Sequence, residues 1–320
     1  MKILSIDGGG VKGLYSAAFL AGLEGRFRKS IADCFDLVAG TSTGGILALA
    51  IAARMPTQTI VDFYRQWGPK IFHPKLKAMY VLRSLLFSRY PDKELKNALQ
   101  TVFGDRKIVD IYNQEKSISC CIPSIDAIQG TPTVFKTPHD NKLSRDNDYY
   151  LWEVALATSA APVYFPLARL RVPNSSSWKL YVDGGLWANN PSHVALVEAL
   201  TYKKQSLKDI YLLSLGNIVG TTSFGSDTYL SKGIALWRTD VIGMTLDTQS
   251  TAVHNQIRLL FDFQDLSDHY TRIEHSPNEK QSSLKKLDCA KPANINDLEV
   301  LGRARADSES VHANIVNFFT

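Results

Sequence analysis

The chain carries the stretch Val38-Ala39-Gly40-Thr41-Ser42-Thr43-Gly44-Gly45 between two apolar segments. The segment before it, Cys34 to Val38, predicts a short strand, and the segment after it, Ile46 to Ala53, predicts a buried helix. A strand that runs through G-x-S-x-G into a helix is the sequence form of a nucleophile elbow, which exposes its serine on a strained corner. We therefore expect Ser42 to be reactive.

Small residues around this serine support the same interpretation. Gly40 and Gly44 are required in an elbow because a Cβ atom there would collide with the neighbouring strand or helix. The N-terminus of the following helix would direct N–H groups and a positive dipole end toward the serine, which favours an oxyanion. The pentapeptide alone also fits an ordinary strand-to-helix turn. Motifs elsewhere in the chain are needed to distinguish a nucleophile elbow from such a turn.

A glycine loop, Asp7-Gly8-Gly9-Gly10-Val11-Lys12-Gly13, follows a predicted first strand, Met1 to Ile6. It opens a helix with apolar residues at helical spacing: Leu14, Ala17, Ala18 and Ala21. The order of strand, loop, helix, strand, elbow and helix predicts an α/β fold with a largely parallel central sheet flanked by helices. Further strands are predicted at Ser117–Ile122, Thr133–Phe135, Lys179–Val182 and Asp209–Leu215, and helices from Asp92, Leu151 and Ser192.

The glycine loop has two interpretations. Gly8, Gly10 and Gly13 match the dinucleotide fingerprint G-x-G-x-x-G, and Lys12 lies near the place of a phosphate. The acidic residue expected about 20 residues further on has candidates only in the approach to the elbow. An oxyanion hole suits three consecutive glycines beside an exposed serine better. Lys12 fits a solvated loop charge as well as a phosphate contact.

In that second interpretation, N–H groups of the glycine loop and of the elbow converge on the negative oxygen of a tetrahedral intermediate. Such donors are typically worth about 3 kcal/mol each. We expect the hole to involve Gly8, Gly9, Gly10 and Thr43.

A serine nucleophile needs a base. The late histidines lie in helical or polar stretches, away from glycine-flanked strand ends: His254, His269, His275 and His312. Asp183, in contrast, ends a predicted strand and precedes Gly184 and Gly185, which let another backbone approach closely. An aspartate with the ordinary pKa of about 3.9 is a poor base at neutral pH, but burial in a lipid-lined pocket would raise that pKa. We therefore expect a Ser42–Asp183 dyad.

The glycine loop, the elbow and Asp183-Gly184-Gly185 together resemble the patatin-like phospholipase family in order and approximate spacing. The resemblance continues through Ala157–Pro166 and Trp187–Pro191, so it covers residues 1–216. It implies that Ser42 is the acyl-accepting nucleophile and Asp183 its base. It also implies hydrolysis of a lipid acyl ester through an acyl-enzyme, with no cofactor and no metal.

Three blocks, Cys121–Ala127, Val134–His139 and Val182–Pro191, resemble a bacterial subgroup of this family. Members of the subgroup are effectors of CBASS, the cyclic-oligonucleotide-based antiphage signalling systems. The resemblance implies a cyclic dinucleotide activator, degradation of membrane phospholipids and a homo-oligomer on activation.

Composition and charge limit the classes of protein. The 320 residues are 45% hydrophobic and 21% charged, which excludes a disordered or collagen-like chain. The net charge of +5 favours an anionic membrane surface or a nucleotide, but it predicts no DNA or RNA polymer as partner. Lys136, His139 and the run Lys142 to Arg145 fit either a nucleotide pocket or a solvated face.

No apolar run approaches the roughly 18 residues of a membrane-spanning helix. Met1 and Lys2 are followed at once by the first strand, which leaves no room for a cleavable signal sequence. The cysteines show neither C-x-x-C pairs nor zinc-type spacing and are predicted to be buried thiols: Cys34, Cys120, Cys121 and Cys289. We expect a cytoplasmic protein that is peripheral at the inner face of the cell membrane when active.

Two segments are candidates for lipid contact. Pro74 to Tyr90 has a basic amphipathic composition that suits either a membrane surface or the core. Ile234 to Leu246 is predicted to form a helical lid or wall over the acyl pocket. Beyond it, Ser276 to Asn296 is predicted to be a surface excursion and Asp297 to Phe319 a closing helix.

The sequence thus predicts a single domain over 1–320, with the catalytic motifs within 1–216 and a helical C-terminal part over 217–320. The predicted function is a lipid acyl hydrolase of membrane phospholipids, activated by a cyclic dinucleotide in antiphage defence. The alternatives are a constitutive lipase or esterase of the same fold, a nucleotide-binding protein and a non-catalytic lipid-binding protein.

Overall fold

A computed structural model describes residues 1–73, 87–112, 116–220 and 240–320. Most of Pro74 to Tyr90 and the first half of Ile234 to Leu246, where a membrane contact and a lid were predicted, lie outside these residues. Within the described ranges, no helix is both long enough and apolar enough to cross a bilayer.

The described strands form one sheet: β1 Lys2–Ile6, β2 Leu37–Gly40, β3 Ser119–Asp126, β4 Thr131–Lys136, β5 Ala168–Arg171, β6 Trp178–Asp183, β7 Tyr211–Ile218 and β8 Tyr270–His275. Their order is β5-β6-β3-β2-β1-β7-β8, and β4 pairs with β3. The five strands from β3 to β8 along this order run parallel, whereas β4 and β6 run antiparallel to β3. The predicted largely parallel centre is confirmed.

The described helices are α1 Gly13–Phe27, α2 Ile31–Cys34, α3 Thr43–Ala52, α4 Gln58–Ile71, α5 Lys93–Phe103, α6 Ile108–Tyr112, α7 Leu151–Thr158, α8 Gly185–Ala188, α9 Ser192–Thr201, α10 Asp240–Phe263, α11 Pro292–Glu309 and α12 Ala313–Phe319. The helical spacing after the glycine loop is confirmed, because Leu14, Ala17 and Ala18 are fully buried in α1. The helix predicted from Asp92 is confirmed as α5.

Both faces of the sheet are covered by helices. Successive residues of a strand point to opposite faces, and β1 divides its side chains accordingly. Leu4 and Ile6 pack into the larger apolar cluster, with α1 and α3, whereas Ile3 packs into a second cluster with α9 and α10. A strand that is buried on both faces has a nearly continuous run of apolar residues in its sequence, as strands of other parallel sheets do.

The length of β3 brings the two halves of the site together. One edge of β3 pairs with β4 over residues 121–126. The other edge pairs first with β2, at Ser119 to Cys121, and then with β6, at Ser124 to Asp126. Since β2 ends at Gly40, β6 occupies the space beyond that end. Asp183, which is opposite Ser124, therefore lies beside the elbow.

Several predicted boundaries differ from the structure. The strand predicted over Cys34 to Val38 is wrong at its start, because Cys34 closes the short helix α2 and β2 begins at Leu37. The helix predicted from Ile46 begins at Thr43, directly after the serine. The elbow is therefore tighter than the apolar pattern alone indicates.

The C-terminal part is not wholly helical, since β8 extends the sheet beside β7. The predicted closing helix is divided into α11 and α12. The surface excursion predicted over Ser276 to Asn296 is also wrong in part. Leu284 is buried, and the carbonyl of Leu287 accepts a 2.8 Å hydrogen bond from the N–H of Val11. The polar composition of this segment gives no indication that its few apolar residues anchor it to the rest of the protein.

Candidate active site

Ser42 occupies a strained strand-to-helix corner. Its φ of 55° and ψ of −121° lie outside the regions that residues other than glycine favour. Its N–H donates a 2.9 Å hydrogen bond to Thr158 Oγ1 at the end of α7, and the Thr158 hydroxyl donates to the carbonyl of Pro123. The elbow is therefore held by α7 and β3 as well as by its own turn.

The glycines of the elbow allow very close backbone packing. A Cβ atom at Gly44 would lie 2.3 Å from the carbonyl oxygen of Ile6, and one at Gly40 would lie 2.1 Å from the carbonyl oxygen of Gly44. Both contacts are with backbone, which cannot rotate away. The predicted steric role of these two glycines is confirmed.

Ser42 and Asp183 are in direct contact. The Ser42 hydroxyl donates a 2.7 Å hydrogen bond to Asp183 Oδ2, and the other oxygen, Oδ1, accepts a 2.7 Å hydrogen bond from the N–H of Gly185. Burial raises the pKa of Asp183 to about 7, against the opposing effect of these two hydrogen bonds. Gly184 allows this approach, since a Cβ atom there would lie 2.3 Å from the Pro123 carbonyl oxygen.

Free N–H donors lie beside this pair. The N–H groups of Gly9, Gly10 and Thr43 have no acceptor within the described residues, and all three residues line the same pocket as Ser42. The N–H of Gly8, in contrast, donates a 3.0 Å hydrogen bond to the carbonyl of Asn189. Of the predicted oxyanion residues, Gly8 therefore shapes the loop, and the other three retain donors for a ligand.

The glycine loop is anchored by distant parts of the chain. Arg272 donates hydrogen bonds of 2.9 and 2.7 Å to the two oxygens of Asp7, and both side chains are buried. Asn217 Nδ2 donates to the Gly8 carbonyl at 2.9 Å. Gly13 packs closely under the elbow, since a Cβ atom there would lie 2.8 Å from the Thr43 side chain. Arg272 and Asn217 belong to no motif, and nothing in the local sequence indicates their roles.

Lys12 is neither a solvated charge nor an exposed phosphate ligand. Its side chain is buried, and Nζ donates a 3.1 Å hydrogen bond to the carbonyl of Ile218. Burial lowers the pKa of this ammonium group. The predicted solvated charge is wrong. Lys12 is also not available as the phosphate contact that the dinucleotide interpretation of the loop requires.

An apolar pocket opens at the dyad. Its apolar lining comes from α3, α4, α5 and the segment after α7: Ile46, Phe63, Ile71, Phe72, Leu95, Ala161, Tyr164 and Phe165. Leu246, from the described end of the predicted lid segment, also lines it. Such a lining suits an acyl chain.

The late histidines are engaged elsewhere. His254 bonds to Tyr270 OH, His269 to the Ile210 carbonyl, His275 to Gln281 and His312 to Glu309. Among the described residues, no histidine bonds to Ser42 or Asp183.

Three of the basic residues considered for a nucleotide pocket have internal partners. Lys136 Nζ lies 2.6 Å from Glu198 Oε2, and His139 Nε2 lies 2.8 Å from Glu198 Oε1. Arg145 pairs with Asp146. Neither the nucleotide pocket nor the solvated face predicted for them accounts for the buried His139.

Cys121 lies beside this cluster, with its sulfur within 4.8 Å of ligand atoms of His139 and Glu198. The three residues are far apart in sequence, so a search for local metal-type spacing does not find them. The predicted burial of Cys121 is confirmed. Both Glu198 oxygens already bond to His139 and Lys136, and burial raises the pKa of the Cys121 thiol. The arrangement is that of a satisfied hydrogen-bonded cluster.

The fold and the site define an α/β protein whose strand-to-helix corner carries a serine bonded to a buried aspartate. The sequence model of the patatin-like phospholipase family matches residues 4–196. The chain therefore belongs to the patatin-like phospholipase family, and it is a lipase-type enzyme.

Individual relatives are similar over nearly the whole chain. A "cGAMP-activated phospholipase" of Pseudomonas aeruginosa is 32% identical over 309 residues, which cover 95% of this chain and 87% of the relative. A protein of Escherichia coli with the same name is 29% identical, with 100% and 92% covered. "Patatin-like protein 1" of Arabidopsis thaliana is 27% identical, with 98% and 83% covered.

Proposed function

We propose that this enzyme hydrolyses acyl esters of membrane phospholipids with Ser42 as nucleophile and Asp183 as base. The observation that carries the proposal is the 2.7 Å hydrogen bond from Ser42 Oγ to Asp183 Oδ2 at an apolar pocket. A nucleophile bonded to its base, with free N–H donors beside it, is the arrangement that acyl transfer requires.

The reaction proceeds in two halves. Asp183 accepts the Ser42 proton while Ser42 Oγ forms a bond to the ester carbonyl carbon, and the N–H groups of Gly9, Gly10 and Thr43 bind the resulting oxyanion. The intermediate collapses, the bond to the alcohol oxygen breaks, and Asp183 returns the proton to that oxygen. Water then attacks the acyl-enzyme with Asp183 again as base, which releases the fatty acid and restores Ser42.

The rate of hydrolysis should depend on pH through Asp183. Because the pKa of Asp183 is raised to about 7, the base is protonated and inactive well below that pH. We expect kcat/KM to rise about tenfold per pH unit below pH 6 and to level off above pH 8. A pH profile with a soluble short-chain ester measures this, and a flat profile from pH 5 to 8 would exclude Asp183 as a base with this pKa.

We also propose that the pocket rim contacts the membrane. Phe87 and Val163 are exposed, and their segments are joined by a 2.7 Å hydrogen bond from the N–H of Arg89 to the Val163 carbonyl. The next residues, Tyr164 and Phe165, line the acyl pocket. Apolar side chains at the rim would enter the lipid surface and admit an acyl chain directly.

Phe87→Asp should weaken binding to anionic phospholipid vesicles, about tenfold or more, because a charge replaces an exposed phenyl ring that enters the lipid surface on binding. Hydrolysis of a soluble short-chain ester should remain within about twofold, since Phe87 does not line the pocket. Phe263→Asp, at a still more exposed phenylalanine of α10, is the control for a general effect of added charge. Equal loss of vesicle binding in both variants would contradict a local rim contact.

Activation by a cyclic dinucleotide is proposed from the relatives, two of which are named for activation by cGAMP. On this basis the enzyme acts at the inner face of the bacterial membrane in antiphage defence, as a single domain that forms a homo-oligomer on activation. Support for a single domain comes from Arg272 and Leu287, which bind the glycine loop from the C-terminal part.

The test is release of fatty acid from mixed phospholipid vesicles, with and without each member of a cyclic dinucleotide panel. Wild type should release fatty acid with one nucleotide, and Ser42→Ala should release none. Release that is indifferent to every nucleotide would support the constitutive lipase instead. Release by Ser42→Ala equal to that of the wild type would contradict the catalytic proposal.

A further inference from the structure

The end of α7 and the residues that follow it contact both members of the dyad. Thr158 Oγ1 accepts the hydrogen bond from the Ser42 N–H, and the carbonyl of Ala160 accepts a 3.1 Å hydrogen bond from the Asp183 N–H. Ser159, the residue between them, lines the same pocket as Ser42 and Asp183. The backbone on both sides of Ser159 is therefore fixed relative to the reacting groups.

The Ser159 hydroxyl is buried and has no hydrogen-bond partner among the residues that the structure describes. Only 5% of the residue is exposed. A buried hydroxyl without a partner is costly to a folded protein, and at a pocket wall it indicates a group that bonds to a ligand.

Other hydroxyls nearby are accounted for. Ser124, equally buried on β3 opposite Asp183, donates a 2.8 Å hydrogen bond to the carbonyl of Val182. Thr43 Oγ1 and Tyr64 OH also lack a partner of good geometry, but both lie within 2.8 Å of the same point beside Gly13. These two hydroxyls can satisfy each other by a small rotation.

We propose that Ser159 Oγ donates a hydrogen bond to the leaving alcohol oxygen of the ester. This inference rests on the proposed function. Three N–H groups bind the carbonyl oxygen of the ester, and Asp183 binds the nucleophile. The alcohol oxygen is therefore the remaining site of developing negative charge. That oxygen must lie close to Asp183, which returns the proton to it, and Ser159 is adjacent to the residue that holds Asp183.

The hydrogen bond from Ser159 lowers the free-energy barrier to loss of the alcohol, and Ser159 exchanges no atoms with the substrate. As the carbon–oxygen bond breaks, the electron pair moves to the alcohol oxygen, and the Ser159 O–H stabilises it until the proton arrives from Asp183. Ser159 keeps its own proton throughout. The contribution grows with the charge on the leaving oxygen, because hydrogen bonds to charged groups are stronger than neutral ones.

The experiment compares two butyrate esters with one acyl group and different leaving groups, each hydrolysed by the full chain with cGAMP present. Glyceryl butyrate releases a strongly basic alkoxide and needs assistance, whereas p-nitrophenyl butyrate releases a weakly basic phenolate and needs little. For Ser159→Ala we expect kcat/KM to fall about tenfold or more with the glyceryl ester and about twofold to threefold with the nitrophenyl ester. The ratio of the two losses is independent of the fraction of protein that is folded.

Ser124→Ala is the matched control, since it removes a buried hydroxyl beside the same dyad that bonds only to backbone. It should lower both rates by the same factor. Equal losses on both esters in Ser159→Ala, or the same leaving-group dependence in Ser124→Ala, would overturn the assignment to Ser159 alone. If Ser42→Ala hydrolyses both esters as fast as the wild type does, the proposed function fails, and this inference fails with it.

Discussion

Asp183→Asn is expected to lower kcat/KM for ester hydrolysis about 10³-fold or more, because an amide cannot accept the Ser42 proton. The substitution is nearly isosteric. The amide oxygen can still accept the hydrogen bond from the Gly185 N–H, so the fold around the site should be kept. Hydrolysis of a short-chain ester by the purified variant measures the loss, and activity within about tenfold of the wild type would contradict the role of Asp183.

The same variant should be more stable than the wild type at alkaline pH. Burial raises the pKa of Asp183 from 3.8 to about 7 in the folded state, so the folded chain binds this proton more tightly than the unfolded chain. Its contribution to the free energy of unfolding therefore falls as the pH rises from about 4 to about 7. Removing the carboxyl group should raise stability at pH 8 by on the order of 1–3 kcal/mol and have little effect near pH 4.

Asp126→Asn is the control, and its expected effect on stability at pH 8 has the opposite sign. Asp126 ends β3 and bonds to Lys179 at 2.8 Å, and the pKa of its carboxyl group is lowered, with hydrogen bonds from Lys179 and from the backbone outweighing burial. Its ionised form stabilises the fold above the ordinary pKa of an aspartate, so the substitution should lower the melting temperature at pH 8. If Asp183→Asn has a lower melting temperature than the wild type at pH 8, the buried carboxylate does not destabilise the folded state and the prediction is contradicted.

Gly44→Ala is expected to disrupt the elbow. Its Cβ atom would lie 2.3 Å from the Ile6 carbonyl oxygen and 2.6 Å from that of Asp7, so α3 would have to move away from the end of β1. Such overpacking against backbone should cost about 3 kcal/mol or more in the free energy of unfolding. The urea midpoint of unfolding measures the cost.

Gly25→Ala is the matched control, since Gly25 lies in α1 with no atom within 4 Å of its added Cβ. It should be neutral or stabilise by about 0.5–1 kcal/mol, because alanine restricts the unfolded chain and favours a helix. If both variants unfold at the same urea concentration, the close packing at Gly44 is not required.

The central elements could be predicted because each carries its signal locally. The elbow requires glycine at fixed offsets from Ser42, and α1 repeats its apolar residues at helical spacing. Asp183 is marked by the two glycines that follow it. The catalytic roles of these residues remain predictions, whereas their positions side by side follow from the way β3 pairs first with β2 and then with β6.

The supporting residues could not be predicted because their partners are distant in sequence. Arg272 is 265 residues from Asp7, and Leu287 meets the glycine loop from a segment of polar composition. Lys12 is charged, yet it is buried because β7 offers it a carbonyl oxygen. Such contacts depend on the completed sheet, and nothing in the neighbouring residues encodes them.

Covalent labelling with a fluorophosphonate, followed by mass spectrometry of the digested protein, tests the central claim most directly. In the presence of the cyclic dinucleotide panel, we expect one adduct, on the peptide that contains Ser42. Asp183→Asn should label much more slowly, and Ser42→Ala should not label at all. An adduct on another serine, or none on an enzyme that hydrolyses esters, would contradict Ser42 as the nucleophile.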